Sequence, residues 1–314
     1  MRNILKLLRW PNLLIIILSQ VLLRYYIIKP LLNNSGVELP LEFINFLLLV
    51  FSFLLMAAAG YLINDYYDIE TDRINKPDKA LIGRDVSTIS VRIVYIVLNV
   101  LAIGIGFYLA FEVSYFKLGF VFVAIVFMLW YYSARYKRMV FWGNLVVSVL
   151  IGITIFMVWI FEFFALRSNS FDFISAYTDI RMIQYLVWGV TFFAFLTTLI
   201  REMIKDVEDL EGDQRCGFNT MPVAIGKGYS KIIILVFIIT TIILLALAQY
   251  WLLIKGFSYT FWYLCFTVQL LLFYTLVIMF KVKDNKDWKY PGNLMKVVMV
   301  AGIIGMQFIY FDLQ

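Results

Sequence analysis

Histidine is absent from all 314 residues. Its absence removes imidazole acid–base chemistry and the commonest transition-metal ligand, so any chemistry must use carboxylates, Lys, Arg, Tyr or a hard metal. Charge is scarce: Asp, Glu, Lys and Arg make up 15% of the chain, against about 25% in soluble domains. A soluble fold of this composition would lack a polar skin. The two cysteines are also uninformative as a pair. Cys216 lies in a charged stretch and Cys265 in an apolar one, which implies no disulfide framework.

Apolar side chains fill the space left by these absences. The chain is 63% hydrophobic and 18% aromatic, with a mean hydropathy of +0.86. Several runs reach the roughly 20 residues needed to cross a bilayer. The sequence predicts an all-α, multi-pass membrane protein of one domain, 1–314, with nine spans near 12–28, 41–64, 89–111, 114–132, 143–163, 181–203, 231–254, 258–280 and 292–311. The opening "MRNILKLLRWPNLLIIILSQ" is basic but has no small-residue cleavage site, and it reads as a retained first span.

Lys and Arg alternate between the two sides. The first end and every second loop carry three, five, three, five and four of them, twenty altogether, against five in the alternate loops. Basic residues accumulate on the cytoplasmic side, so the N-terminus is expected inside and the C-terminus outside. The net charge of +6 then reflects topology and calls for no nucleic-acid partner.

Two carboxylate clusters break the apolar pattern, both on the side expected to be cytoplasmic. "INDYYDIETDRINKPDKA" places Asp65, Asp68 and Asp72 three and four residues apart, and "REMIKDVEDLEGDQ" repeats the spacing with Asp206, Asp209 and Asp213. On a helix such intervals share one face. The clusters lie four spans apart, which suggests a four-plus-four helix pseudo-repeat with one extra span. Like charges so spaced cost a few tenths of a kcal/mol per pair in a helix, a strain that bound cations would remove. All-oxygen ligands at helix ends suit Mg²⁺, which prefers to bridge carboxylates to substrate phosphates. Arg73, Lys76 and Lys79 follow the first cluster, Arg201 and Lys205 adjoin the second, and Arg135, Lys137 and Arg138 follow span four.

These residues carry a family resemblance. Asn64-Asp65-x-x-Asp68-x-x-x-Asp72 with Arg73-Ile74-Asn75-Lys76-Pro77 resembles the first signature of UbiA-type intramembrane prenyltransferases, and Lys205-Asp206-x-x-Asp209-x-x-x-Asp213 resembles the second. Tyr132 to Arg138, with Gly143-Asn144, is similar to the family's tyrosine–lysine segment. The resemblance implies Mg²⁺-dependent transfer of a polyprenyl group from its diphosphate to an acceptor, inside a multi-pass protein of the cell membrane with the active site on the cytoplasmic side. It implies metal ligation by the six aspartates, catalytic roles for Asp68, Asp72, Asp209, Asp213, Lys205 and Tyr132, and diphosphate contacts from Asn64, Lys79, Lys137 and Arg135. Lys79-Ala80 stands where the family carries Arg-Pro. Either Tyr131 with Arg135 or Tyr132 with Lys137 fills the tyrosine–lysine pattern. Tyr66, Tyr67, Trp130 and Trp142 add aromatic faces that could steady an allyl cation.

The start of span one, Arg9-Trp10-Pro11-Asn12, resembles the branch that adds a geranylgeranyl chain to geranylgeranylglyceryl phosphate. It implies Arg9, Asn12 and Asn144 as substrate-binding residues and geranylgeranyl diphosphate as donor. Aromatic or quinone-precursor acceptors remain open, and a haem acceptor fits poorly with a chain that has no His. A transporter would place more ionisable residues within its spans than Arg24 and Lys296. CDP-alcohol phosphatidyltransferases pack glycines among their aspartates, whereas Gly212 is the only glycine in either cluster.

Overall fold

The computed structural model describes residues 9–70, 82–83 and 86–314, without the side chains of residues 285 and 286. Asp72, Arg73, Lys76 and Lys79 lie outside the described residues. Helices account for nearly all of the rest: α1 Trp10–Asn34, α2 Phe43–Tyr67, α3 Thr88–Glu112, α4 Phe116–Ala134, α5 Trp142–Ser168, a short α6 Ser170–Ser175, α7 Tyr177–Glu208, a short α8 Leu210–Arg215, α9 Met221–Ile254, α10 Ser258–Lys281 and α11 Lys289–Asp312. Nine of these, all but α6 and α8, are long and apolar enough to cross a membrane among the described residues. Isoleucine, valine and phenylalanine crowd the outward faces of α3, α9 and α10, with Ile93, Val100, Ile243 and Phe266 all more than half exposed. Such surfaces suit lipid and not water.

The spans close into a ring. α1 packs on α2 and α5, α2 on α3 and α4, α5 on α7, and α7 on α9 and α11, while α10 and α11 pair and α11 returns to α1. Tyr26 and Tyr310 meet edge to face at 5.7 Å across that last seam. One apolar core joins α1 to α5 with the first half of α7, and a second joins the other half of α7 with α9 to α11. α7 therefore belongs to both halves.

Several helices outrun their hydropathy. The predicted span 181–203 is Tyr177–Glu208, and the span 231–254 is preceded from Met221 by a short helical piece that a kink at Gly226, φ 81°, sets off from the rest of α9. Charged residues end an apolar run without ending a helix, so Lys205, Asp206 and Glu208 stay helical. α1 likewise continues through Lys29-Pro30 to Asn34 instead of stopping at 28. A proline ring clashes with the carbonyl four residues earlier in a regular helix. Here the stretch Arg24–Ile28 widens into a π-turn just before Pro30, the kind of local adjustment that admits it. At the far end of α9, Gly256 has φ +89°, and the amide of Phe257 bonds the Leu252 carbonyl at 2.9 Å, a Schellman stop that needs a residue tolerant of left-handed backbone.

Within the core, α1 and α5 are pinned by a charge pair. Arg24 Nε donates to Glu162 Oε1 at 2.6 Å, both side chains 1% exposed or less. Arg24 Nη2 donates to the Leu41 carbonyl, the Leu41 amide donates to Glu162 Oε2 at 3.0 Å, and the guanidinium lies 4.2 Å from the Phe46 ring centroid. Breaking such a pair strands a buried charge, at a cost of roughly 3–5 kcal/mol, whereas replacing both members with apolar residues is often close to neutral. Glu162→Ala should therefore lower the thermal midpoint in detergent sharply. The double variant Arg24→Met/Glu162→Leu should recover most of that loss, and a double variant as unstable as the single would contradict it.

Candidate active site

The described aspartates of both clusters occupy helix ends at the same end of the ring, but the helices do not run on through the middle aspartates as the spacing predicts. α2 stops at Tyr67, and Asp68 caps it with φ −98° and ψ 8°. α7 stops at Glu208, and Asp209 caps it with φ −89° and ψ 6°. The two middle aspartates thus share one backbone conformation at two helix ends. The break spares the helix its like-charge repulsion and lets each carboxylate turn to a different donor. Asp65 accepts from Arg9 Nη2 at 2.5 Å, and that guanidinium sits 5.1 Å from the Tyr61 ring centroid. Asp68, 4% exposed, accepts from Asn64 Nδ2 at 2.8 Å and from Lys137 Nζ. Asp206 accepts from Asn144 Nδ2 at 2.9 Å, and Asp213 from the Thr220 hydroxyl at 3.0 Å. Burial pushes the Asp213 carboxyl up to about 6, with the like charge of Asp209 adding to the rise and Thr220 opposing it.

A tight turn brings the clusters together. Residues Tyr136–Arg138 form one 3₁₀ turn after α4. A Cβ on Gly143 would come within 3.0 Å of Lys137 Cα and 3.1 Å of the Tyr136 carbonyl, so only glycine lets α5 start this close. That approach sets Lys137, turned to Asp68, near Asn144, turned to Asp206. The turn is also clipped to the second cluster: the Asn219 amide bonds the Arg138 carbonyl at 3.0 Å, and the Arg138 guanidinium lies 4.7 Å from the Phe218 ring centroid.

Two cavities open here. A small polar one is lined by Tyr132, Lys137, Asn144, Glu202, Lys205, Asp206, Asp209, Asp213 and Thr220. The other, about 590 Å³, begins at Arg9, Asn12, Tyr61, Asn64, Tyr132, Arg201, Glu202 and Lys205 and continues between mostly apolar side chains to Tyr185, Trp251 and Ile309. Tyr132, Glu202 and Lys205 line both. Arg135 lines neither. It is exposed, with Nη1 3.4 Å from the Tyr131 hydroxyl, and Tyr131 stacks outward on Phe127. Of the two ways to fill the tyrosine–lysine pattern, the structure brings Tyr132 and Lys137 to the cavities. Trp130 and Trp142 are exposed on the outer surface, as interfacial anchors are. The sequence reading passed over Glu202, which pairs with Arg201 and stands 3.9 Å from Lys205 Nζ. Its position one turn before Asp206 was the available signal. It also passed over Tyr61.

The donors suit a hard cation but do not form a cage. Among the described residues no three carboxylates converge on a single point. Mg²⁺ keeps several waters and takes one or two carboxylates plus substrate phosphates. Asp206, Asp209 and Asp213 around one small cavity fit that mode.

The UbiA prenyltransferase family model matches residues 31–299, and the chain belongs to that family; it is a multi-pass membrane prenyltransferase. A digeranylgeranylglyceryl phosphate synthase from Methanosphaera stadtmanae is 27% identical over 246 residues, covering 78% of this chain and 80% of the relative. Two solved structures share the fold. One, from work on digeranylgeranylglyceryl phosphate synthase in membranes, has a TM-score of 0.61 at 22% identity and covers 98% of both chains. The other is a UbiA homologue from Archaeoglobus fulgidus bound to DMAPP and Mg²⁺, with a TM-score of 0.52 at 16% identity, covering 97% of this chain and 99% of that one.

The turn geometry separates two neighbouring cations. Lys137→Met should lower prenyl transfer about 100-fold, the usual loss when a preorganised charge-stabilising group is removed, while Arg135→Met should stay within about twofold of wild type. Pyrophosphate release at saturating donor measures both. Equal losses would mean that Arg135 reaches the reacting groups as well.

Proposed function

We propose that the protein transfers a geranylgeranyl group from its diphosphate to the free hydroxyl of geranylgeranylglyceryl phosphate, with Mg²⁺, at the cytoplasmic end of the ring. One observation carries the reading: a charged end with carboxylates and cations opens directly into a long apolar cavity. The cavity is lined along α7 from Tyr185 to Lys205, about 30 Å at the helical rise, as deep as the hydrocarbon layer. A prenyl chain fits its apolar body, with its diphosphate turned at the polar end toward the aspartates of the small cavity. The name of the Methanosphaera relative supports the glyceryl phosphate acceptor, and the Archaeoglobus complex supports a prenyl diphosphate with Mg²⁺. The positive-inside balance supports the orientation.

Asp206, Asp209 and Asp213, and Asp68 across from them, would hold the metal. When bound, it neutralises charge on the departing pyrophosphate oxygens. Lys205 and Lys137 aim two further positive charges at the same oxygens, with Asn64 and Asn144 holding Asp68 and Asp206 in place. Tyr132 and Tyr61 stand where the polar end meets the apolar body, each able to face the C1 allyl cation and contribute about 1–2 kcal/mol. The acceptor oxygen then forms the new bond to C1 and loses its proton to a carboxylate of the same end.

Purified protein in bilayers should release pyrophosphate from geranylgeranyl diphosphate only when the prenylated glyceryl phosphate and a divalent cation are both present. EDTA should stop turnover and Mg²⁺ restore it; undiminished turnover after EDTA would remove the metal from the mechanism. Asp68→Ala and Asp209→Ala should each cut transfer more than tenfold, which is over about 1.4 kcal/mol of transition-state stabilisation, with membrane insertion and size-exclusion profile unchanged. Either variant keeping more than a tenth of the wild-type rate would strip that residue of its role.

A further inference from the structure

Not every charge around the wide cavity is met by an opposite one. Arg9, Arg201, Lys205, Lys296 and Glu202 are the charged residues that line it. Arg9 is met by Asp65 from outside the lining, and Glu202 is shared by Arg201 and Lys205. Lys205 also lines the small cavity and is drawn to Asp209 there, so the lining cation left without a carboxylate in contact among the described residues is Lys296. Lys296 has neither a hydrogen bond nor an ion pair among the described residues. The charged groups nearest to it are Arg201 and Lys205, which repel it, and Glu202 and Glu208, which attract it.

Depth makes this cation conspicuous. α11 begins at Lys289, so Lys296 lies about 10 Å along the helix. An ionisable residue inside a span is costly unless paired or facing a polar cavity. Lys296 faces the cavity. A lysine reaching only for the interface would have no need to line the space that holds the substrates.

Resting on the acceptor reading above, we propose that Lys296, with Arg201 on the neighbouring helix α7, seats the acceptor's phosphate monoester and selects acceptors that carry one. A phosphate monoester carries about −1.5 to −2 charges at neutral pH, enough to meet Lys296 with a full opposite charge. The donor's diphosphate belongs with the aspartates of the small cavity, so the acceptor phosphate needs cations of its own to approach a second anion.

The test uses the full chain in nanodiscs of neutral lipid, with geranylgeranyl diphosphate as donor. Lys296→Met should raise the KM for geranylgeranylglyceryl phosphate about tenfold. Its donor KM and kcat should stay within twofold, and Lys296→Arg should restore most of the acceptor affinity. The dephosphorylated acceptor, used as an inhibitor, should bind wild type and Lys296→Met equally. An unchanged acceptor KM, an equal rise in donor KM, or an equal loss for both acceptors would overturn the proposal. So would a defect confined to anionic bilayers, which would give Lys296 to a lipid headgroup. If wild type prenylates an aromatic acceptor and no glyceryl phosphate, the acceptor reading and this inference fall together. A wild type active on glyceryl phosphate with an indifferent Lys296→Met sinks this inference alone.

Discussion

Five described carboxylates at one end of a membrane ring repel one another in a medium that screens them poorly, and the geometry of that end follows from how the repulsion is handled. The two helices that carry the clusters stop at the middle aspartate. Asp68 and Asp209 cap α2 and α7 with nearly the same backbone angles, so no helix has to hold three like charges in a row. Asp65, Asp68, Asp206 and Asp213 each find their own donor: Arg9, Lys137 with Asn64, Asn144, or Thr220. The donors come from α1, α2, the turn after α4, α5 and the start of α9. Stabilising the clusters and closing the ring are therefore one problem. The close approach at Gly143 is part of that solution, since a side chain there would separate Lys137 from Asn144.

Much of this was legible in the sequence. Hydropathy located nine spans because a lipid-facing helix must be apolar whether or not its partners are known. Charged clusters at matched spacing marked the reactive end, since nothing in a lipid-facing surface would retain them. Helix ends were less legible. A backbone hydrogen bond is indifferent to the charge of the side chain it carries, and α7 runs through Lys205 and Asp206 on that account. The choice between Lys137 and Arg135 also needed three dimensions, because a 3₁₀ turn sends residues two apart to opposite sides. Pairings over long separations, Arg9 with Asp65 and Arg24 with Glu162, leave no local pattern to read.

The chain holds charge within the membrane in two contrasting ways. Arg24 and Glu162 satisfy each other, with help from the Leu41 backbone and the Phe46 ring, and neither reaches a cavity. Such a pair forms as the protein folds; it fixes α1 against α5 away from both cavities. The reactive end is arranged in the opposite sense. Its carboxylates in the small cavity have polar partners of modest strength, Asn144 and Thr220, where Arg24 would have offered a full charge. At the wide cavity Lys296 lines the space with no carboxylate in contact among the described residues. On the proposed function such an end would reach electrical balance with ions and anionic substrates in it. The folding energy of the ring would carry the unbalanced state, and binding of diphosphate, metal and acceptor would relieve it. That relief would be available only to ligands bearing the right charge, so the same imbalance that costs stability would supply selectivity.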